Sequence, residues 1–279
     1  MSADRDTDDL DLLTDAVRGA ASLALQYFER PVDVWHKRPN DPVSEADIAV
    51  NRYLRERLRR ARPDYGWLSE ESEDDPDRLR RERLWVVDPI DGTRAFLRGQ
   101  AEFAVSVALV EGDRPLMGAV LQPVTGTLYR AVRGQGASRD HHPLQVSARA
   151  ALAGCHMLAD PAFFRARRHW PVPWPDMDYR RVPSLALRLA FVAAGGADAM
   201  VSIGRKHDWD LAAADLIVEE AGGRVVDATG SRLRYNRERP TQSCVIAAAP
   251  ALIAPILARV VPAMARRDAA NRDACDDQK

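Results

Sequence analysis

The sequence is poor in the features that mark secreted, membrane-spanning or nucleic-acid-binding proteins. It has three cysteines in 279 residues, and their irregular spacing argues against a disulfide framework and a zinc site. Its 40 basic and 41 acidic residues give a net charge of −1, which does not point to nucleic acid as the main partner. The two most apolar stretches, residues 185–203 and 245–261, are interrupted by charged residues or prolines, so neither could span a bilayer.

These absences leave a globular protein as the expected class. A hydrophobic content of 46% with 29% charged residues is typical of soluble domains. The length of 279 residues suffices for one large domain or two ordinary ones. Five aspartates within the first eleven residues lead us to expect no secretory signal peptide. We therefore expect a cytoplasmic protein with no membrane partner.

The most informative stretch is residues 84–93, with the sequence LWVVDPIDGT. Four consecutive apolar residues bounded by charge predict a buried strand. Asp88 and Asp91 follow at its end, where Pro89 stiffens the turn. Two adjacent carboxylates repel each other unless a cation lies between them, and Mg²⁺ prefers oxygen ligands that it shares with substrate phosphate. The alternative is a strand that ends in two solvated acids.

Other polar residues have both a structural and a functional interpretation. Gly92 lets the backbone approach a ligand, and the N–H groups of Gly92 and Thr93 lie where a helix start could hold phosphate. Ser44 is a predicted N-cap with Asp47 in the capping-box position, where an acid also complements the helix dipole. Asp210 opens another predicted helix, for which the dipole alone is a sufficient reason.

Two further clusters are ambiguous. An acidic run, residues 68–75, precedes four arginines, and such charge runs are usually solvated loops. His141 and His142 are adjacent, but no third metal ligand lies nearby in the sequence, which favours a surface loop.

Taken together, these segments resemble the motifs of the inositol monophosphatase superfamily, which consists of Mg²⁺-dependent, lithium-sensitive phosphomonoesterases. The stretch 88–93 resembles the central motif, and residues 41–47, 70–72 and 209–223 resemble the other three, in the family's order. One departure is Ser69, where the family has glycine.

The resemblance implies a role for each motif residue. Two or three Mg²⁺ ions would be bound by acidic side chains and one carbonyl group, namely Glu70, Asp88, Asp91, Asp210 and the Ile90 carbonyl. Glu71 competes with Glu70 for its place. Asp47 and Thr93 would activate water, and the backbone at Gly92 and Thr93 would hold the phosphate.

The sequence after the central motif, GTRAFLRG, looks more like the 3'(2'),5'-bisphosphate nucleotidase branch than the inositol phosphatases. Arg205 and Lys206 would then bind the second phosphate, although basic residues there are equally expected by chance, and Arg188 is a weaker candidate. The expected reaction converts adenosine 3',5'-bisphosphate to AMP and phosphate. Inositol 1-phosphate is the second candidate substrate, and histidinol phosphate is the third.

The element pattern predicts two halves. Residues 1–140 form an α+β half with two helices and an antiparallel sheet, and residues 141–265 form an α/β half that contributes Asp210. The polar tail, residues 266–279, is predicted to be disordered. The resemblance implies a layered α/β/α/β/α sandwich and a homodimer.

Overall fold

A computed structural model describes residues 2–28, 30–38, 41–160, 162, 164 and 170–276. The α-helices are α1 (Ser2–Phe28), α2 (Glu45–Ala61), α3 (Thr93–Phe96), α4 (Leu185–Ala193), α5 (Ala212–Glu220) and α6 (Pro250–Asp276). The first strands are β1 (Val34–Arg38), β2 (Asp41–Ser44), β3 (Gly66–Ser69), β4 (Arg83–Asp91), β5 (Ala104–Glu111), β6 (Arg114–Gln122) and β7 (Thr127–Val132). The later strands are β8 (Ala137–Arg139), β9 (His142–Pro143), β10 (His156–Leu158), β11 (Asp178–Arg180), β12 (Ala199–His207), β13 (Arg224–Val226) and β14 (Thr241–Ala248). Short 3₁₀ helices cover Pro76–Arg80 and Asp208–Asp210.

A seven-stranded sheet with the order β3-β4-β5-β6-β7-β8-β9 forms the first half. Its neighbouring strands are antiparallel from β4 to β9, which confirms the predicted meander, and only β3 and β4 pair in parallel. Strand β4 lies inside this sheet, and its residues from Leu84 to Asp91 are all buried.

The successive side chains of β4 point to opposite faces of the sheet. Trp85 and Val87 pack against α1 and α2, whose apolar positions recur at the predicted helical spacing. Leu84 and Val86 pack on the other face, against α4 and α5. Gly118 on β6 allows α5 to approach closely, because a Cβ atom there would lie 2.5 Å from the carbonyl oxygen of Ala213.

A second sheet, with the order β11-β10-β12-β14-β13, covers the far side of α4 and α5. Helix α6 packs on its outer face through Leu252, Ile256 and Val260. The layers are therefore two helices, a sheet, two helices, a sheet and one helix. This arrangement confirms the predicted α/β/α/β/α sandwich.

Two sequence-based expectations on local structure were wrong. The prolines and the Asn-Asp pair within residues 37–43 predict a loop. In the structure, β1 and β2 pair antiparallel, with Val34 opposite Ser44, while residues 39 and 40 lie outside the described residues. This separate two-stranded sheet tolerates Pro42, because prolines are accepted on edge strands. The predicted disordered tail is helical over residues 266–276, since α6 continues to Asp276. This segment is rich in alanine and arginine, both strong helix formers, and has no glycine or proline. Residues 277–279 lie outside the described residues.

The predicted boundary at residue 140 falls in the turn between β8 and β9, at the end of the first sheet. No helix in the described part of the chain is long and apolar enough to cross a membrane.

Candidate active site

The end of β4 carries Asp88, Ile90 and Asp91 into the interior. Asp88 is 1% exposed and Asp91 is 8% exposed. The pairing of β4 with β5 shifts register between these two aspartates, at Pro89, which has no N–H group to donate to a ladder. The strand thus extends through the Asp-Pro-Ile-Asp segment and places both carboxylates at one end of the sheet.

Asp88 is a buried carboxylate without a cation beside it. Within the described residues, its Oδ1 atom is buried and has no hydrogen-bond partner. Burial raises the pKa of Asp88 well above its usual range, and the charges of Glu70, Asp91 and Asp210 raise it further. An unpartnered buried carboxylate is costly, so this oxygen is the best candidate for a metal ligand.

Asp91, by contrast, is held by hydrogen bonds from the other half. Its Oδ2 atom accepts hydrogen bonds from Ser184 Oγ at 2.5 Å and from the Ala186 N–H group at 2.6 Å. Ser184 is also the N-cap of α4, because its Oγ atom accepts the Leu187 N–H group at 3.0 Å. Burial raises the pKa of Asp91, and these hydrogen bonds oppose that increase. From the sequence, Ser184 is predicted only as the N-cap of the helix that follows, so its contact with Asp91 was missed.

The two oxygens of Asp47 have separate partners. The Oδ2 atom accepts the Ser44 N–H and hydroxyl groups at 2.8 and 2.6 Å, which is the predicted capping box. The Oδ1 atom accepts the Thr93 hydroxyl at 3.2 Å. The same hydroxyl lies 3.2 Å from the Ile90 carbonyl oxygen. Burial raises the pKa of Asp47. The contact with Ser44 and the contact with Thr93 therefore involve different oxygen atoms of the Asp47 side chain.

Glu70 and Glu71 differ in their exposure. The Glu71 side chain is 4% exposed and forms a close ion pair with Lys37, whereas Glu70 is 26% exposed and lies 3.7 Å from the same ammonium group. Desolvation raises the pKa of Glu70 to about 8, with Asp210 and Glu71 adding to the effect and Lys37 opposing it. Glu70 is thus the more accessible of the two. The role of Lys37 was missed because its segment was predicted as a loop.

Asp210 enters the site from the second half, in the 3₁₀ helix Asp208–Asp210. Its Oδ2 atom accepts the His207 N–H group at 2.7 Å. Desolvation and the charge of Asp91 raise its pKa to about 7, and Lys206 opposes the increase. Arg205 lines a cavity of about 480 Å³ together with Arg237 and Arg267. This cavity is separate from the one beside Gly92 and Thr93. Of the two basic residues predicted to bind substrate, Lys206 is therefore the one whose charge acts on Asp210.

A cavity of about 510 Å³ opens beside Gly92 and Thr93. Gly92 has a φ of 98°, in the left-handed region, and a Cβ atom there would lie 3.1 Å from the Glu102 carbonyl oxygen. Four arginines line the cavity, namely Arg94, Arg98, Arg181 and Arg188. Burial lowers the pKa of Arg188, and the charge of Asp91 acts in the opposite direction. The cavity thus presents positive charge next to a cluster of acids.

The acidic cluster fits Mg²⁺ better than a metal enclosed by protein alone. Among the described residues, no three side chains of His, Cys, Asp or Glu are arranged to hold a metal ion by themselves. Mg²⁺ rarely needs such a cage, because it keeps several waters and is bound by one or two carboxylates together with substrate phosphate. The unpartnered oxygen of Asp88 and the mutual repulsion of the acids supply the reason for a cation here.

Comparisons with known proteins identify the family. The model of the family described as "Inositol monophosphatase family" matches residues 7–264. The inositol-1-monophosphatase of Rhizobium meliloti is 40% identical over 233 residues, which cover 79% of this chain and 86% of that protein. The Nus factor SuhB of Pasteurella multocida is 34% identical over 265 residues, 91% of this chain and 96% of that protein.

Solved structures share the fold over nearly the whole chain. The extragenic suppressor protein SuhB of Bartonella henselae has a TM-score of 0.78 and 30% identity, over 90% of this chain and 97% of that one. An inositol monophosphatase of Thermotoga maritima has a TM-score of 0.78 and 28% identity, over 93% and 99%.

These findings set the level at which the function is known. Family members are phosphomonoesterases that depend on a metal, typically Mg²⁺, while the number of ions and the sensitivity to lithium stay predictions. Several relatives are named Nus factor, so the prediction that nucleic acid is not a main partner is not supported. On the match across residues 7–264 and the shared fold, the chain belongs to the inositol monophosphatase family and is a phosphomonoesterase.

Proposed function

We propose that the protein hydrolyses nucleoside 3'(2'),5'-bisphosphates, and that adenosine 3',5'-bisphosphate yields AMP and phosphate. The observation that carries this proposal is the arginine-lined cavity beside the carboxylate cluster. A substrate with two phosphates needs cationic groups for the phosphate that does not react. Arginine suits that task because its planar guanidinium binds phosphate oxygens in pairs.

The carboxylates divide into metal ligands and a proton acceptor. Glu70, Asp88, Asp91 and Asp210, with the Ile90 carbonyl, would hold two or three Mg²⁺ ions. Bound Mg²⁺ would supply Lewis-acid chemistry, by lowering the pKa of a water molecule and neutralising charge on the phosphate.

Thr93 and Asp47 would orient the attacking water and take its proton. The Thr93 hydroxyl has one proton, which it donates to Asp47 Oδ1, so its lone pairs remain to accept a hydrogen bond from water. The proton that leaves the water would pass through Thr93 to Asp47. The raised pKa of Asp47 favours its protonated form and so helps it to hold that proton.

A substrate panel tests this proposal. Phosphate release should be measured with adenosine 3',5'-bisphosphate, inositol 1-phosphate and histidinol phosphate at saturating Mg²⁺. We expect the bisphosphate to have the highest kcat/KM. A preference of about tenfold or more for either monophosphate, which is about 1.4 kcal/mol in transition-state binding, would overturn the choice of substrate and leave the chemistry in place.

A variant of Arg188 tests whether this arginine binds the second phosphate. Arg188→Met should raise KM for the bisphosphate by about tenfold, because one charge-assisted hydrogen bond to phosphate is lost. KM for inositol 1-phosphate should change little if Arg188 binds the second phosphate. Arg98→Met in the same cavity is the matched comparison. Equal effects of Arg188→Met on both substrates would mean that Arg188 serves the reacting phosphate.

Inositol 1-phosphate is the second candidate, and the name of the Rhizobium meliloti relative, at 40% identity, favours it. A regulatory role in an RNA-associated complex is the third candidate, because several relatives are named Nus factor SuhB. That role does not require the catalytic and metal-binding residues to be present together. This chain has all six of them, namely Asp47, Glu70, Asp88, Asp91, Thr93 and Asp210. Cytoplasmic location and a homodimer stay predictions. Size-exclusion chromatography with light scattering would test the homodimer.

A further inference from the structure

The buried guanidinium of Arg78 lies outside the catalytic cluster and connects the two loops that carry Glu70 and Asp210. Arg78, in the 3₁₀ helix Pro76–Arg80, is 2% exposed. The backbone of Arg78 packs against β3, where a Cβ atom on Gly66 would lie 3.3 Å from the Arg78 Cα atom. Arginine is rarely this buried unless its donors are paired, so its partners indicate its role.

On one side, the Arg78 guanidinium binds the loop that follows Glu70. Its Nε and Nη2 atoms donate to the two oxygens of Asp74, at 2.6 and 2.9 Å. This two-point contact is the geometry in which arginine and carboxylate bind most specifically. The beginning of the same loop is fixed by Asn51, whose side-chain amide donates to the Glu71 carbonyl at 3.0 Å. The loop with Glu70 is therefore held at both ends.

On the other side, the guanidinium binds a loop of the second half, 158 residues away in sequence. Its Nη1 atom donates to Asn236 Oδ1 at 2.8 Å, and its Nη2 atom donates to the Arg237 carbonyl at 3.0 Å. The Asn236 N–H group then donates to Asp208 Oδ2 at 2.9 Å. Asp208 is fully buried and begins the 3₁₀ helix that ends at Asp210.

We infer that Arg78 is a positioning residue, which fixes the spacing between the loop carrying Glu70 and the turn carrying Asp210 so that both can bind one set of cations. This inference rests on the assignment of Glu70 and Asp210 as metal ligands. Stability alone would not call for this residue, because buried ion pairs are often replaced by apolar side chains without loss. A guanidinium with donors on both sides instead sets a distance and an orientation between two loops.

The experiment measures the binding of Mg²⁺ alone to the metal-free protein, by isothermal titration calorimetry. Arg78→Met should weaken Mg²⁺ binding by about tenfold or more, which is the usual scale for residues that orient metal ligands. Arg78→Lys should fall between this variant and the wild type, since an ammonium group cannot bridge both loops. The matched control is Arg80→Met in the same 3₁₀ helix, where the Arg80 side chain is 86% exposed. Circular dichroism checks that each variant is folded.

Asn236→Gly is the gentler variant. Asn236 has a φ of 53°, which glycine adopts without strain, so the change removes the Oδ1 acceptor of Arg78 and keeps the N–H donor to Asp208. Its Mg²⁺ affinity should fall by about three- to tenfold, the scale of one typical hydrogen bond. In the double variant with Arg78→Met and Asn236→Gly, the loss of Mg²⁺ affinity should be no larger than in Arg78→Met alone, because both changes break the same connection between the two loops.

The outcomes separate the possibilities. A lower melting temperature with unchanged Mg²⁺ affinity in Arg78→Met would make Arg78 a purely structural residue and overturn the inference. If Arg78→Met does not fold, Asn236→Gly decides, and unchanged affinity there has the same meaning. Wild-type protein that binds no Mg²⁺ would instead overturn the metal site itself, and the role of Arg78 with it.

Discussion

Strand β4 has a cluster of polar side chains with a buried aspartate near each end, and the two aspartates have opposite surroundings. Near the first end, Asp9 from α1 is fully buried and surrounded by donors. It accepts hydrogen bonds from Arg62 at 2.5 Å, Tyr65 at 2.6 Å and Arg83 at 3.0 Å. At the other end, Asp88 is equally buried and lies among other acids.

This difference distinguishes an acid that stabilises the fold from an acid that is placed to bind a cation. Removing a carboxylate from water is repaid only when cations or donors satisfy its charge. Within the part of the chain that the structure describes, the protein provides these partners for Asp9 and provides none for the Oδ1 atom of Asp88. We therefore expect a cation from solution at the second cluster, where the mutual repulsion of the acids favours its binding.

The largest effect is expected where the charge is unpaired. Asp88→Asn should lower kcat by at least about 10²–10³-fold at saturating Mg²⁺, the scale of losing one main electrostatic stabiliser. The melting temperature of the metal-free variant should rise, since one repelling charge is gone. Steady-state kinetics and thermal unfolding measure the two effects, with the exposed Asp64→Asn as control. Turnover near that of the wild type would remove Asp88 from the site.

The next effect concerns the hydroxyl between the acids. Thr93→Ala should lower kcat by about 10²-fold, the scale of general-base assistance, with little change in KM. Thr93→Ser keeps the hydroxyl and should retain most of the activity. A change confined to KM in the alanine variant would make Thr93 a binding residue.

The paired cluster should show the reverse pattern. Asp9→Asn should reduce the free energy of unfolding by about 2 kcal/mol, because charged hydrogen bonds are lost in the interior. Activity and Mg²⁺ affinity of the folded variant should stay unchanged, since Asp9 is not part of the catalytic cluster. Chemical denaturation and steady-state kinetics measure both. A loss of Mg²⁺ affinity would show that the two ends of β4 are coupled.

The last effect is a dependence of stability on pH in the metal-free protein. The pKa of Glu70 is raised to about 8 and that of Asp210 to about 7, so both acids keep protons in the folded state that they lose in the unfolded state. Stability should therefore fall as pH rises from 5 to 8. Saturating Mg²⁺ should abolish this slope. A slope of opposite sign in thermal unfolding would contradict the raised pKa values.

The features that could be predicted from the sequence are those encoded locally. Asp88 and Asp91 lie three residues apart, and the capping box of Ser44 and Asp47 spans one helical turn, so their geometry follows from the neighbouring residues. The contacts that complete the site join distant residues. Ser184 lies 93 residues from Asp91, and no local pattern indicates that a helix cap will also bind a carboxylate.

The basic residues illustrate the same limit. Arg205 and Lys206 are neighbours in the sequence, yet Arg205 lines a separate cavity, and the pairing of β12 with β14 is irregular between Ile203 and Lys206. Only the structure identifies Lys206 as the residue whose charge acts on Asp210. Lys37 was overlooked because prolines and an Asn-Asp pair predicted a loop, although Lys37 lies in β1, which pairs antiparallel with β2.

The central claim is that the cluster of acids around Asp88, at the end of β4, is a Mg²⁺ site. The most direct measurement is the thermal unfolding of metal-free wild type and Asp88→Asn during titration with Mg²⁺, since a ligand that binds only the folded state raises the melting temperature. The account predicts a saturable increase for the wild type and a much smaller one for Asp88→Asn, despite the higher starting stability of the variant. An equal increase in both proteins, or none in the wild type, would contradict it.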